Sequence, residues 1–245
     1  MAQHRFLGLM RWELEEYLSL PLLAFLAASA IISTLSYTAF GSPTPYMSLF
    51  WGSGTVLLIL ALVAGAFFAR SYAGSIGRGE TKLMLSYPIK RSQLFLSKFA
   101  ALFTVVFAIY IPVYYLHFYL DGLSAFDPLM FLTLFGLLLE LMLSCSVAVG
   151  ISMVTKNEII SIIATVLLLF GLDSILGYNN LLSAQGRVFH LLQYFGEQLH
   201  GTVPMVGSPA VTANDTLLAV LIPIIAFVVL IAGSYVYFTR VMEVD

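Results

Sequence analysis

Six long runs of apolar residues alternate with short polar stretches along the chain. Most of these runs reach the roughly 20 residues that an α-helix needs to cross about 30 Å of hydrocarbon. The pattern predicts membrane-spanning helices at residues 18–40, 50–69, 99–120, 128–155, 159–177 and 216–239. These spans predict an all-α membrane protein in which residues 1–245 form a single transmembrane domain.

The composition agrees with this pattern. Of the 245 residues, 60% are hydrophobic and 10% are charged, whereas soluble domains are about 25% charged. The single cysteine, Cys145, excludes an intrachain disulfide and a zinc site built from several cysteines. Because the chain has no basic tail and no acidic block, nucleic acid is not an expected partner.

The basic residues lie almost entirely on one side of the predicted bundle. Ten of the eleven lysines and arginines precede span one, follow span six, or lie between spans two and three or four and five. Only Arg187 falls on the other side. Because cytoplasmic loops carry such an excess of basic residues, we expect a multi-pass protein of the plasma membrane with both termini in the cytoplasm.

Two segments outside the spans have the periodicity of amphipathic helices. Residues 1–17 place apolar side chains opposite Arg11, Glu15 and Glu16, and we expect an interfacial helix on the inner surface. The long outer segment 178–215 contains a second amphipathic stretch. Its apolar positions are Val188, Leu191, Leu192, Phe195 and Leu199. This stretch is too short to span, so we expect it to lie in the outer interface or to be re-entrant.

The densest charge of the chain lies between spans two and three, in residues 78–98. Leu83, Met84 and Tyr87 recur there at helical spacing, and Pro88 ends that turn. Ser92 is placed to cap a second helix that leads into span three. The sequence therefore predicts two short amphipathic helices around a proline corner, with an apolar face that needs a protein partner or the lipid interface.

The segment GETKLMLSYPIKRSQLFLSKF resembles the stretch after the second span of type-2 ATP-binding-cassette (ABC) permeases. The positions that match the family pattern are Gly79, Thr81, Leu83, Leu85, Ser86, Pro88, Arg91, Leu94 and Lys98. The departures are Glu80, between the glycine and the threonine, and Lys82, where an apolar residue is common. The six predicted spans, the N-terminal helix and the long outer segment extend the resemblance over the whole chain.

The resemblance implies a permease subunit of an ATP-driven exporter, with no catalytic residues of its own. Residues 78–97 would be the coupling region, which docks on a separate cytoplasmic ATPase subunit. The implied coupling residues are Arg78, Glu80, Thr81, Lys82, Leu83, Met84, Tyr87, Pro88, Lys90 and Arg91. ATP and Mg²⁺ would bind to the partner ATPase, and a second permease copy or a paralogue would complete the transporter within the lipid.

Glu140 is the sharpest polar feature inside a predicted span. Charged side chains at membrane depth face protein or water and often mark a transport path. Glu140 is therefore either a pathway or proton-coupling group, or a structural acid that is hydrogen-bonded within the bundle. The first interpretation supports an alternative function, a self-contained proton-coupled secondary transporter. Asp173 lies near the end of span five, and no deep basic residue is predicted beside Glu140.

Small residues recur at four-residue spacing on two of the spans. One set is Ala61, Gly65 and Ala69, and the other is Ser144, Ala148 and Ser152. Such faces let helix backbones approach closely. We expect them to pack within the chain, although a seam between two copies is the alternative.

Overall fold

A computed structural model describes residues 2–19, 23–24, 27–28, 31–32, 45–120, 124, 126–176, 180–200 and 211–242, and these residues contain no β-strand. In chain order, the helices are α1 (Ala2–Tyr17), α2 (Pro45–Gly77), α3 (Glu80–Leu85), α4 (Arg91–Leu120), α5 (Pro128–Thr155), α6 (Glu158–Leu176), α7 (Ala184–His200) and α8 (Ala213–Val236). A π-helical turn, Tyr237–Val241, follows α8.

Five segments of the described chain are long and apolar enough to cross a membrane, which indicates a multi-pass membrane protein. They are Leu57–Gly77, Arg91–Pro112, Pro128–Thr155, Glu158–Leu176 and Ala213–Val241. Each corresponds to one of the predicted spans, and α5 has the predicted bounds. The predicted first span, 18–40, lies for the most part outside the described residues. In α2, the helix continues past the predicted end at residue 69 and includes Arg70.

The long helices run in alternating directions between two ends of the bundle. The turn between α5 and α6 lies beside the end of α2, because a side chain at Gly77 would come within 3.0 Å of the Lys156 carbonyl oxygen. We call this end, where α3 also lies, the α3 end. From there α4 and α6 run towards the opposite end, which we call the α7 end because α7 begins there.

The helices α2 and α5 form the centre of the bundle, and their faces of small residues pack inside the chain. Ala61, Ala69, Ser144, Ala148 and Ser152 are all buried. The Ser152 hydroxyl donates hydrogen bonds to the carbonyl oxygens of Ala148, at 2.7 Å, and of Ala69 on the neighbouring helix, at 3.4 Å. The expectation of intrachain packing is therefore confirmed for these faces.

The predicted amphipathic stretch in segment 178–215 is the helix α7. The first part of its apolar face is buried in the bundle, whereas Leu199 near its end is exposed. Val188, Leu191 and Leu192 are each at most 3% exposed. They pack among α2, α5 and α8. Gly136 of α5 makes room for this approach, since a side chain there would lie 2.8 Å from Val188 Cγ2. The apolar face of α7 therefore contacts other helices of the bundle. This packing fixes the positions of the polar residues of α7.

Gly65 provides a test of how tightly α2 packs. A Cβ at this position would lie 2.9 Å from Leu169 Cδ1 and 2.9 Å from Thr165 Cγ2 of α6. We expect Gly65→Val to destabilise the protein by about 1–3 kcal/mol, the usual cost of overpacking. The measurement is the thermal unfolding temperature in detergent. Gly171→Val is the matched control, because a Cβ at Gly171 meets nothing within 4 Å. Equal effects of the two substitutions would contradict this packing.

Candidate functional site

The chain turns sharply between α2 and α4, and residues 78–90 of this turn form a feature that we call the α3 corner. Gly79 precedes α3 with φ of 76°, a left-handed conformation that glycine adopts without strain. After α3, Pro88 prevents the helix from continuing. The next helix, α4, begins at Arg91. The prediction of Ser92 as its cap was therefore wrong, because Lys90 is the residue before the first helical one.

Ion pairs tie the α3 corner to the turn between α5 and α6. The Arg78 guanidinium contacts Glu80 Oε1 at 2.7 Å and Glu158 Oε2 at 2.5 Å, and Arg70 Nε lies 3.4 Å from Glu158 Oε1. The hydrogen bond from Arg78 lowers the pKa of Glu80. These side chains are partly exposed, so salt weakens the pairs. They nevertheless fix the start of α3 relative to two long helices.

The short helix α3 presents different faces to the protein and to its surroundings. Thr81 is buried, and Met84 packs against the core behind the helix. Leu83 is 68% exposed and Tyr87 is 62% exposed. The three apolar residues predicted to share a contact surface are therefore divided, since Met84 anchors the helix while Leu83 and Tyr87 face outward. Lys82, Pro88 and Lys90 are exposed beside them.

The start of α4 is held by the C-terminal turn. Arg91 Nη1 donates a 2.7 Å hydrogen bond to the Met242 carbonyl oxygen. Phe95 packs against Tyr72, Tyr235 and Phe238, and its carbonyl oxygen accepts a hydrogen bond from the Tyr72 hydroxyl. The predicted coupling residue Arg91 thus serves to join α4 to the end of the chain.

The N-terminal helix α1 packs on α4 at the same end of the bundle. The Tyr17 hydroxyl is hydrogen-bonded to the Ser71 hydroxyl of α2. Glu13 is fully buried, and Lys98, which is also buried, is near enough to influence it. Burial raises the pKa of Glu13, and the positive charge of Lys98 opposes that rise. Glu13 was not predicted as a site residue, although its spacing from Met10 and Tyr17 places it on the apolar face of α1.

A second polar site lies inside the bundle, between α5 and α7. Arg187 Nε donates to Glu140 Oε1 at 2.5 Å, and Arg187 Nη2 donates to Glu140 Oε2 at 2.7 Å. The third nitrogen, Nη1, donates to the Leu181 carbonyl oxygen at 3.0 Å. Both side chains of the pair are 3% exposed. The guanidinium and the carboxylate therefore compensate each other in a bidentate pair.

This pair corrects the expectation that Glu140 has no deep basic partner. Glu140 is about 18 Å along α5 from Pro128, at 1.5 Å per residue. Arg187 reaches it because α7 packs into the bundle. In the sequence, Arg187 stands out only as the exception to the charge asymmetry. The sequence marks each of the two residues as an isolated charge among apolar residues, but it does not show that they pair.

Asp173 of α6 lies beside the same pair and holds the start of α7. Its Oδ1 accepts hydrogen bonds from the backbone N–H groups of Ala184, at 2.6 Å, and Gln185, at 3.3 Å. Ser183 caps the helix, since its hydroxyl oxygen accepts from the Gly186 N–H at 2.8 Å. We call Glu140, Asp173 and Arg187 the buried polar cluster. It joins three helices at the α7 end.

Within the described part of the chain, no group of three or more His, Cys, Asp or Glu side chains is placed to hold a metal ion. The carboxylates of the buried polar cluster are instead hydrogen-bonded to protein groups. The buried polar cluster is suited to fixing α7 in position. The α3 corner is suited to presenting a small apolar surface.

Comparison with known proteins yields no match to a family model and no match to a curated protein. Support for a function therefore comes from the residues and geometry of the chain itself.

The pair of Glu140 and Arg187 should be important for stability. Removing one partner of a buried ion pair leaves an uncompensated charge, which costs about 3–5 kcal/mol. We expect Glu140→Gln to lower the thermal unfolding temperature strongly, and the double change Glu140→Met with Arg187→Met to recover much of the loss. Arg11→Gln is the control, because its pair with Glu15 is exposed. A wild-type unfolding temperature for Glu140→Gln would contradict the pairing.

The packing of α1 should depend on pH through Glu13. Because burial raises the pKa of Glu13 above its ordinary value of 4.5, the packed helix binds a proton more tightly than the detached helix does. Packing of α1 should therefore be strongest below pH 4.5 and weaken as pH rises through the raised pKa. Hydrogen exchange of α1 at several pH values measures this. Glu13→Gln should abolish the dependence, whereas Glu16→Gln, at an exposed position of α1, should retain it.

Proposed function

We propose that the chain is the membrane-spanning permease subunit of an ATP-driven ABC exporter, in which the α3 corner docks on a separate cytoplasmic ATPase subunit. The observation that carries the proposal is the pair of outward-facing side chains Leu83 and Tyr87 on a rigidly held corner. This pair lies within the segment whose sequence resembles the coupling region of type-2 ABC permeases.

The construction of the α3 corner supports a mechanical role. Force applied to Leu83 and Tyr87 would pass into the bundle along two routes. One runs through Arg78 and Glu158 to the start of α6. The other runs through Met84 to the core behind α3. A docking element must transmit displacement rather than absorb it, and interfaces built on packed elements do so.

The charges around the exposed pair suit a protein surface as partner. Lys82 and Lys90 are exposed next to Leu83 and Tyr87, and Glu80 and Arg78 are partly exposed at the start of α3. An apolar centre with a polar rim is typical of protein interfaces. In the proposed arrangement the apolar pair provides contact area, and the surrounding charges orient the corner on the ATPase.

The proposal includes an orientation in the plasma membrane. The α3 end faces the cytoplasm, residues 18–40 supply a sixth span, and both chain termini are cytoplasmic. The excess of lysine and arginine on this side supports that orientation. The helix α1, with Leu7 and Trp12 exposed, then lies at the inner lipid interface, and α7 lies towards the outer side.

The working unit would contain two ATPase subunits, which bind ATP and Mg²⁺, and two permease chains. The second permease is another copy of this chain or a paralogue. The faces of α6 and α8 support a partner or lipid there, because they expose apolar side chains to the surroundings. Examples are Ile163 and Leu167 of α6 and Ile225 and Val229 of α8.

The alternative function, a proton-coupled carrier that uses Glu140, has less support. Both carboxylate oxygens of Glu140 accept hydrogen bonds from Arg187. Protonating Glu140 would remove the charge that compensates a buried guanidinium, so this residue is better suited to holding α7 than to exchanging protons.

Co-expression with the ATPase encoded nearest to this gene tests the permease proposal directly. The expected result is a four-subunit particle, with two copies of each chain, when its mass is measured in detergent. If this chain purifies alone and no candidate ATPase binds it in the presence of nucleotide, the proposed docking role is wrong.

Substitutions in the α3 corner test which residues dock. We expect Tyr87→Asp and Leu83→Asp to weaken ATPase binding and to uncouple ATP hydrolysis from transport, because each buries a charge in the interface. The thermal unfolding temperature should stay near wild type, since both side chains are exposed. Leu182→Asp is the matched control, being an exposed leucine at the α7 end. Normal ATPase binding by both corner variants would show that this surface is not the docking site.

A further inference from the structure

Among the carboxylate oxygens of the buried polar cluster, Asp173 Oδ2 is the one without a hydrogen-bond partner in the described part of the chain. The residue is 4% exposed. Its Oδ1 accepts the two backbone hydrogen bonds from the start of α7. Its Oδ2 is buried and has no hydrogen-bond partner within the described part of the chain. A buried ionised oxygen without a partner is strongly unfavourable.

The charges around Asp173 do not supply a counter-ion for it. Among the described residues, the two charged neighbours that act on it electrostatically are Glu140 of α5 and Arg187 of α7. Arg187 donates from Nε and Nη2 to Glu140 and from Nη1 to the Leu181 carbonyl oxygen. The pair is neutral as a whole, so an ionised Asp173 would leave a net negative charge in the cluster.

The start of α7 offers only partial compensation. A helix N-terminus acts as about half of a positive elementary charge, which is less than the full charge of a carboxylate. The two N–H groups that face Asp173 need only an acceptor oxygen. The carbonyl oxygen of a neutral carboxylic acid can accept both of these hydrogen bonds in the same geometry as a carboxylate oxygen. Oδ1 accepts two hydrogen bonds, and Oδ2 accepts none from the described residues. This arrangement therefore fits a protonated carboxylic acid.

We propose that Asp173 is a proton-binding site, with the proton on Oδ2 when α7 is packed into the bundle. The proton comes from water at the adjacent α7 end and returns there when α7 moves away from α6. Proton binding and the packing of α7 are then coupled. His190, on the next turn of α7, has its Nδ1 within 2.6 Å of the Gly186 carbonyl oxygen and does not compensate Asp173.

The coupling has a definite sign. With α7 packed, Asp173 is 4% exposed, and this burial favours its neutral form, whereas detachment of α7 would expose it to water and favour the ionised form. Packing of α7 is therefore favoured at low pH and is lost as pH rises through the value at which Asp173 releases its proton in the packed state. The proposed site does not depend on the proposed ATPase partner. In this proposal Asp173, rather than Glu140, is the residue that exchanges a proton.

Infrared spectroscopy of the purified full-length chain tests the proposal without any transport assay. The C=O stretch of a protonated carboxylic acid is separate from the bands of carboxylates and amides. We expect such a band in mildly acidic buffer, at about pH 5, and a decrease of the band as the pH is raised. We also expect the band to shift when the protein is labelled with carboxyl-¹³C aspartate. A band that shifts only with labelled glutamate, or no band at all, would overturn the proposal.

Variants then assign the band to one residue. Asp173→Asn keeps an acceptor oxygen for Ala184 and Gln185 and should abolish the aspartate band. Glu197→Gln, at an exposed position on α7, is the matched control and should leave it unchanged. Glu13→Gln removes any contribution from the buried glutamate of α1. Persistence of the aspartate band in Asp173→Asn would place the proton elsewhere and refute the assignment.

Hydrogen exchange of the first turn of α7 tests the coupling and does not require a labelled sample. In wild type, the opening of residues 184–187 should increase with pH beyond the intrinsic rise of exchange rates. In Asp173→Asn that additional increase should disappear, because the neutral side chain has no proton to lose. The same pH profile in both proteins would show that α7 packing is not linked to Asp173.

Discussion

In surroundings as apolar as those of this bundle, a charge is tolerated only where another group of the chain compensates it. The ion pair between Glu140 and Arg187 meets this requirement almost completely, with both carboxylate oxygens and all three guanidinium nitrogens engaged. Without it, α7 would carry an uncompensated arginine into the protein interior. The pair therefore determines where α7 packs, and α7 in turn covers the faces of α2, α5 and α8 at that end.

The two ends of the bundle use charge in different ways. At the α7 end Glu140 and Arg187 are buried and compensate each other, so they specify one position for one helix. At the α3 end the pairs of Arg78 with Glu80 and Glu158 are partly exposed, and each contributes little to stability. Their role is geometric, because they align a short helix on the ends of α2 and α6. This difference suits a fixed internal element at one end and a contact surface at the other.

The geometry also separates two roles that the sequence assigned to one residue. Glu140 was the candidate for proton coupling because it was the deep acid. Its engagement by Arg187 makes it a positioning residue for α7. Asp173 lies close to the end of α6, and one of its oxygens has no partner among the described residues, so we propose this residue for proton exchange with water. The proposed ATP-driven transport and the proposed dependence of α7 packing on protonation are compatible, since the docking corner and Asp173 lie at opposite ends of the bundle.

The sequence by itself determined the helical class, the approximate bounds of five long helices and the position of the corner between α2 and α4. Hydropathy, helical periodicity and proline placement are local properties, so they can be read without knowing what packs against what. The predicted bounds of α5, and the corner at Pro88, illustrate this. The tertiary structure alone decided which way each side chain of the corner faces, so that Met84 is internal while Leu83 and Tyr87 are external. It also decided that Arg187 meets Glu140, 47 positions away in the chain. Such pairings depend on how whole helices pack against one another, and no local pattern in the sequence encodes that.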